Sequence, residues 1–220
     1  MTGPELVSRH PDCACENTEP HSGGHGPVRN NEHLVFFIES PQHADMKKAG
    51  QRGRRWTPKA RDLRNITTGR GHSVYRREHA TSSELRMGAR KGYDHCTSRR
   101  EDGTGGIVGI FEITTASIRS VDGKDGRTCV VDTPVVHEED EQLAHADLLW
   151  SNASDGPDEA LLLKRLAFED KLARSMEREG STHAIPKFPD ADLCEYLPEV
   201  VRTNPDDYPL IMTGEVPEAG

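Results

Sequence analysis

The chain reads as an α+β protein with a small mixed or antiparallel sheet of three to five strands, short helices and one long C-terminal helix. Three observations lead there. Short runs rich in Val, Ile, Phe and Tyr are separated by Gly and Pro. A capping box, Thr81-x-x-Glu84, opens a helical stretch. Near the end, residues 157–180 carry apolar side chains at helical spacing.

In chain order, residues 1–30 are rich in proline and glycine and lack apolar periodicity, so they read as irregular. Residues 34–38, Leu-Val-Phe-Phe-Ile, form the first strand, continuous enough to be covered on both faces. Thr57-Pro58 reads as an N-cap with proline at the first helical position, opening a short helix through about Arg64. Residues 72–76 alternate and read as a strand, and the helix opened by Thr81 is expected to stop at Gly92. Residues 107–113 form the strongest strand, with Gly109 suggesting a bulge or a close backbone approach. Residues 127–132 follow as its hairpin partner through a turn at 122–126. Residues 143–150 fit either a helix or a strand. The long helix is expected to bury Leu161, Leu162, Leu166, Phe168, Leu172, Ala173 and Met176. Beyond it, Pro198 kinks or ends a short helix over 193–201, inside a tail with six prolines. The expected organisation is serial: an irregular segment over 1–30, a core domain over 31–150, the helix over 151–180 and an acidic tail over 181–220.

Composition bounds the function. Hydrophobic residues make up 33% and aromatics 5% of 220 residues, so part of the chain is expected outside a packed core. No run approaches the roughly 18 apolar residues of a membrane helix, and no secretory signal is visible. Five scattered cysteines without such a signal predict reduced thiols and a cytoplasmic location.

Charge is unevenly spread. Residues 47–100 hold 16 Lys or Arg against four Asp or Glu, a local net of +12, so the remainder of a −9 chain carries −21. Arginine outnumbers lysine twelve to four in this window, which favours bidentate contacts to phosphate or carboxylate. The expected partners are a phosphate-bearing ligand, RNA or an acidic protein, met by Arg52, Arg54, Arg55, Arg61 and Arg64. Tyr75, with Trp56 and Tyr93, is placed to stack on bases. Packing of this segment against the acidic remainder, or a solvated face, accounts for the same pattern. The acidic total argues against strong non-specific DNA binding.

Cys13, Cys15, His21 and His25, with His10 as an alternate, fall within sixteen residues and are ligand types that zinc takes. A zinc ion would pin a segment that has little apolar material of its own. The Cys-x-Cys spacing departs from standard finger patterns, and a loop with incidental Cys and His reads equally from the same residues. For chemistry, the block Gly69-Arg70-Gly71-His72-Ser73-Val74-Tyr75-Arg76 is the leading candidate, with His72, Arg70 and Arg76 as catalytic residues. An edge strand after a glycine turn is its plain structural account. His137, Glu138, Glu139, Asp140 and His145 could hold a divalent metal or form a solvated acidic loop. His95-Cys96 is a poor nucleophile pair because adjacent side chains point apart. No phosphate-binding P-loop, dinucleotide fingerprint, nucleophile elbow or His-Glu-x-x-His is present.

The Gly71-His72-Ser73 segment is similar to the Gly-His-Ser segment of RNA 2′-phosphotransferases and other ADP-ribosyl-transferase-like folds, a resemblance confined to a handful of residues. Across residues 12–148 the chain resembles an uncharacterised group of bacterial cytosolic proteins. The matching features are Cys13-x-Cys15, Pro20-His21, Gly26-Pro27-Val28, Glu32-x-Leu34, Ser73-Val74-x-Arg76 and His145-Ala146-Asp147. That resemblance implies a bacterial cytosolic origin and no particular activity. Two functional expectations follow: a binding protein whose Arg-rich centre meets a partner or phosphate-containing ligand, and a small enzyme acting on a nucleotide or NAD.

Overall fold

The computed structural model describes residues 23–40, 63–67, 71–100, 102–122, 126–136, 141–151 and 159–214. The architecture is mixed α+β. Six strands form an open antiparallel sheet: β1 (His33–Ser40), β2 (His72–Arg76), β3 (Gly106–Thr114), β4 (Thr128–Asp132), β5 (His145–Trp150) and β6 (Ser181–His183), in the order β4-β5-β2-β1-β3-β6. Among the described residues the helices are α1 (Arg64–Thr67), α2 (Ser82–Thr97), α3 (Thr115–Arg119), α4 (Glu159–Glu179), α5 (Glu199–Thr203) and α6 (Pro209–Thr213). Six strands exceed the expected three to five. The extra one, β6, spans three residues, too few to show a period in sequence.

The chain folds as two compact units, each assembled from separated stretches. One takes the described parts of 23–35, 63–80 and 113–180, and the other those of 36–40, 81–112 and 181–214. This differs from the expected serial order of core, helix and tail. The described residues of the Arg-rich window are divided with it, 63–67 and 71–80 going to the first unit and 81–100 to the second.

In the first unit, β5 pairs with β2 and β4 on its two sides, with Tyr75 opposite His145, Ser73 opposite Asp147, and Asp132 opposite Ala146. Residues 143–150 are therefore strand, and β4 pairs with β5 rather than closing a hairpin on β3. The chain after β3 turns first into α3, where the Thr114 side chain accepts from the Ser117 amide. Directly opposed side chains lie on one sheet face, so Val74, Ala146, Leu148, Val130 and Trp150 share a face. All five are buried. The Trp150 ring stacks on Phe168 of α4, centroids 5.5 Å apart. Phe168, Leu172 and Met176 are buried, but Leu162 and Leu166 are 46% and 48% exposed. At about 100° per residue, these two leucines lie about 95° and 135° around the helix from the centre of the row 168, 172, 175 and 176. The buried stripe thus comes from the C-terminal half of α4, and Leu162 and Leu166 are corrected to surface positions. The Thr67 hydroxyl donates to the buried Glu169 carboxylate, tying α1 to α4.

In the second unit, α2 begins at the expected capping box but runs five residues past Gly92. A Cβ at Gly92 would stand 2.9 Å from Ile107 Cδ1 and 3.1 Å from Glu39 Oε1. The glycine serves close helix–sheet packing here, and it does not end the helix. Gly109 lies within β3, and a Cβ there would make only ordinary contacts of 3.4 Å with the His183 carbonyl and Ile38. No bulge is needed at that position. Residues 181–214 are folded, with Ile185, Phe188, Leu193, Leu197, Val201 and Ile211 all buried. The helix expected over 193–201 divides at Pro198 into a 3-10 turn, Cys194–Tyr196, and α5. No helix among the described residues is long and apolar enough to cross a membrane.

At Gly106 an added side chain would meet backbone atoms. Its φ is +155°, and a Cβ would lie 2.6 Å from the Pro198 nitrogen and 2.9 Å from the Tyr196 carbonyl oxygen, both backbone atoms. Gly106→Ala is expected to lower the unfolding free energy by about 2–4 kcal/mol. Gly109→Ala, in regular strand, should cost less than about 1 kcal/mol. Urea denaturation of the two variants checks the ordering.

Candidate functional site

Strand β2 places two polar networks on opposite faces of the first unit. The alternation of a strand sends His72, Val74 and Arg76 to one face and Ser73 and Tyr75 to the other.

On the first face, Arg76 is 1% exposed. Its Nε donates to Glu32 Oε2 at 2.7 Å and its Nη2 to Glu32 Oε1 at 2.9 Å, a bidentate pair. Nη1 donates to Asp132 Oδ1 at 2.8 Å and to the Gly26 carbonyl at 2.7 Å. Both carboxylates then reach back to the backbone. Glu32 Oε1 accepts from the Arg29 amide at 2.8 Å, and Asp132 Oδ2 accepts from the Gly26 amide at 3.0 Å. Burial pushes the Glu32 carboxyl up, but hydrogen bonds from Arg76 and the Arg29 amide outweigh it and hold the group below its ordinary value. His79 Nε2 lies 3.7 Å from Glu32 Oε2, and its ring stacks on His25 with centroids 4.3 Å apart. Burial, with Arg76 and His25 adding to it, pushes the His79 imidazole below its ordinary value. Arg119 continues the anchorage by donating to Asn30 Oδ1 and the Val28 carbonyl.

On the second face, the Tyr75 hydroxyl donates to Gln142 Oε1 at 2.7 Å, and its ring meets His145 edge-on at 5.9 Å. His145 Nδ1 lies 2.8 Å from the Thr133 carbonyl oxygen and 3.0 Å from Thr133 Oγ1. A carbonyl only accepts, so Nδ1 donates to it. Thr133 Oγ1 in turn donates to Asp147 Oδ2 at 3.0 Å. Burial pushes the Asp147 carboxyl above its ordinary value, with His145 and the Thr133 hydroxyl partly offsetting it. Gly71, at φ +77°, leads into β2 directly beside this carboxyl. A Cβ there would stand 2.9 Å from Asp147 Oδ1, so position 71 needs glycine for both its backbone and its neighbour.

The residues expected at the site are distributed as follows. Arg76 has its guanidinium occupied by two buried carboxylates and a carbonyl, which removes it from the ligand-facing set. His72 is half-buried at the start of β2, four residues and about 13 Å of strand from Arg76, so the structure does not bring the two together. Tyr75 is 5% exposed and is no open stacking platform. Arg64 begins α1. Arg52, Arg54, Arg55, Trp56, Arg61, Arg70 and the group His137, Glu138, Glu139 and Asp140 lie outside the described residues. So do Cys13, Cys15, His21 and His10 of the zinc set, and His25 is the described member, stacked on His79. Among the described residues no group of three His, Cys, Asp or Glu could hold a metal ion. Cys96 and Cys194 are free thiols, whereas Cys129 is disulfide-bonded, which corrects the expectation of reduced thiols for that residue. Cys96 is buried, and burial with the neighbouring Glu39 pushes its thiol up to about 12, so it is no nucleophile. In the second unit Arg86, Arg90 and Arg100 make exposed pairs with Glu195, Asp94 and Asp102, of a kind that adds little to stability.

Reading residues singly missed Thr133, Gln142 and Asp147 as partners of β2. The available signal was His145-Ala146-Asp147, two polar residues two apart in a stretch compatible with a strand. Comparison with protein-family models, curated proteins and solved structures finds no match.

The raised Asp147 carboxyl gives a signed pH dependence. A carboxyl whose folded pKa lies above its unfolded value favours the fold fully below the unfolded pKa and loses that contribution as pH rises through the folded value. Asp147→Asn keeps an acceptor for Thr133 and removes the ionisation. Calorimetry should find the variant gaining in Tm relative to the parent as pH rises from about 4 to 7. A Tm difference that is flat or falls over this range would contradict the assignment.

Proposed function

We propose that the protein binds a phosphate-bearing ligand where its Arg-rich segment enters β2. The observation that carries this reading is the junction at Gly71. Gly71 takes a positive φ there, and the Asp147 carboxyl occupies the space a side chain at 71 would need. Directly after it come a half-buried His72 and an exposed Ser73, and directly before it come the arginines of 52–70. Imidazole and guanidinium donors suit phosphate oxygens, while Ser73 points to the opposite face of β2. The ligand class is a nucleotide, NAD or the backbone of a short RNA, and the acidic total of the chain speaks for a local site rather than a broad nucleic-acid surface.

A second reading, a small enzyme acting on a nucleotide, is favoured by one specific arrangement. The chain His145–Thr133–Asp147 lies on the same face as Ser73, and Ser73 stands opposite Asp147 in register. Such a chain can move or hold a proton beside a bound ligand.

Thermal-shift titration with ATP, NAD, a short RNA and inorganic phosphate tests the binding reading. At a ligand concentration of 100 Kd the parent should gain about 2.7 kcal/mol, a shift of several degrees. Arg70→Ala and His72→Ala should each reduce it. If both variants keep every shift of the parent, the site is not at this junction.

A further inference from the structure

We infer that Cys129 is joined to the Cys13-x-Cys15 pair and that these three cysteines form a thiol–disulfide exchange site on β4. The chain holds five cysteines. Cys129 is disulfide-bonded, and Cys96 and Cys194 are free thiols. Elimination leaves Cys13 or Cys15 as the partner of Cys129. The course of the described chain agrees. Cys129 is fully buried on the face of β4 that it shares with Val131, opposite Leu149 of β5. Asp132 lies three residues, about 10 Å of strand, further along β4. There the Gly26 amide donates to Asp132 Oδ2 at 3.0 Å, and a Cβ at Gly24 would collide with the same oxygen. The stretch before β1 is thus held against the strand that ends the sheet, where a covering segment shields the unpaired edge. Nine residues back from Gly24 to Cys15, and eleven back to Cys13, span up to about 30 and 40 Å when extended. Both cysteines are within reach of Cys129.

Three cysteines and one bond leave a thiol two residues from the bonded member of the pair. As a thiolate, its sulfur attacks the Sγ joined to Cys129. A bond between Cys13 and Cys15 forms and the bond to Cys129 breaks. The Cys129 sulfur leaves with the electron pair and takes up a proton. One disulfide replaces another, so this step needs no oxidant. The first bond is made with a small disulfide such as glutathione disulfide, which takes two electrons and two protons from the cysteines and departs as two thiols. The substrate class is therefore thiols and disulfides. In the Cys129-bonded form the segment before β1 is fastened covalently to β4, near the Arg76 anchor. In the exchanged form it keeps its polar ties to Asp132 and Glu32. A bond from either cysteine to Cys129 also withdraws a thiolate from the zinc set, so the two uses of that residue exclude one another.

Peptide mapping without reductant tests both parts, and it needs no phosphate ligand. The full chain is equilibrated in a glutathione redox buffer and quenched with acid. Its thiols are then blocked with iodoacetamide in urea, and the chain is cut with trypsin. Peptides 10–29 and 128–164 are expected as one linked species that separates on reduction, with Cys96 and Cys194 alkylated. An alkylated Cys129 in the chain so treated overturns the bond. Exchange is tested with Cys13→Ser and Cys15→Ser, variants outside the core strands. If both members of the pair can take Cys129 as partner, each variant still yields the linked species. In Cys129→Ser, peptide 10–29 should appear lighter by two hydrogens, as the Cys13–Cys15 disulfide. A link that survives in one single variant and is lost in the other overturns the exchange site. Should Cys129→Ser fail to fold, the two single variants still decide the question.

Discussion

The buried guanidinium of Arg76 is the interaction on which the first unit depends. One cation is enclosed with two carboxylates, and each carboxylate is also fastened to a backbone amide of the segment that precedes β1. Enclosing three charges is costly, and their mutual attraction offsets that cost only when geometry and hydrogen bonding are complete. Here the carboxylates use both oxygens, and the guanidinium spends four donor contacts on them and on Gly26. The gain lies as much in order as in energy. A stretch rich in proline and glycine has little apolar surface to bury, so polar ties to Arg76 and Arg119 supply its place on the sheet.

The same strand that ends in this anchor carries the candidate site on its other face. Because successive side chains alternate, fixing Arg76 also fixes Tyr75, and Tyr75 lies opposite His145. Gly71 sets the start of the strand and Arg76 its end. Between them Ser73 is held in register with Asp147. A site built on a strand clamped at both ends can keep its donors and acceptors in place without a ligand.

Much of the fold was legible in the sequence, and what was hidden has physical reasons. The strands over 34–38, 72–76, 107–113 and 127–132 stood out because they combine β-branched and aromatic residues with glycine punctuation. The capping box at Thr81 was equally clear. Gly92 misled because a glycine that ends a helix and one that admits a neighbouring side chain look alike until Ile107 is seen against it. Leu162 and Leu166 misled because a run of apolar residues covers more of the helix circumference than one packing face uses. Arg76 was legible as a notable residue and illegible as an anchor. In sequence, an arginine beside Arg77 in a basic window reads as a ligand contact, and its partners Glu32 and Asp132 lie 44 and 56 positions away. Asp147 was hidden for the same reason, since its neighbour Gly71 is distant in the chain.

The basic window therefore has more than one job. Arg76 is structural, and the arginines around α2 belong to a different unit from Arg76. The most direct measurement of the central claim is hydrogen exchange by NMR on Arg76→Met, a substitution of similar length without charge. The anchor account predicts that the Gly26 and Arg29 amides lose most of their protection, that amides of the β4–β5 ladder keep theirs, and that stability falls by about 3–5 kcal/mol as Glu32 and Asp132 lose their cation. Unchanged protection at Gly26 and Arg29, with unchanged stability, would contradict it.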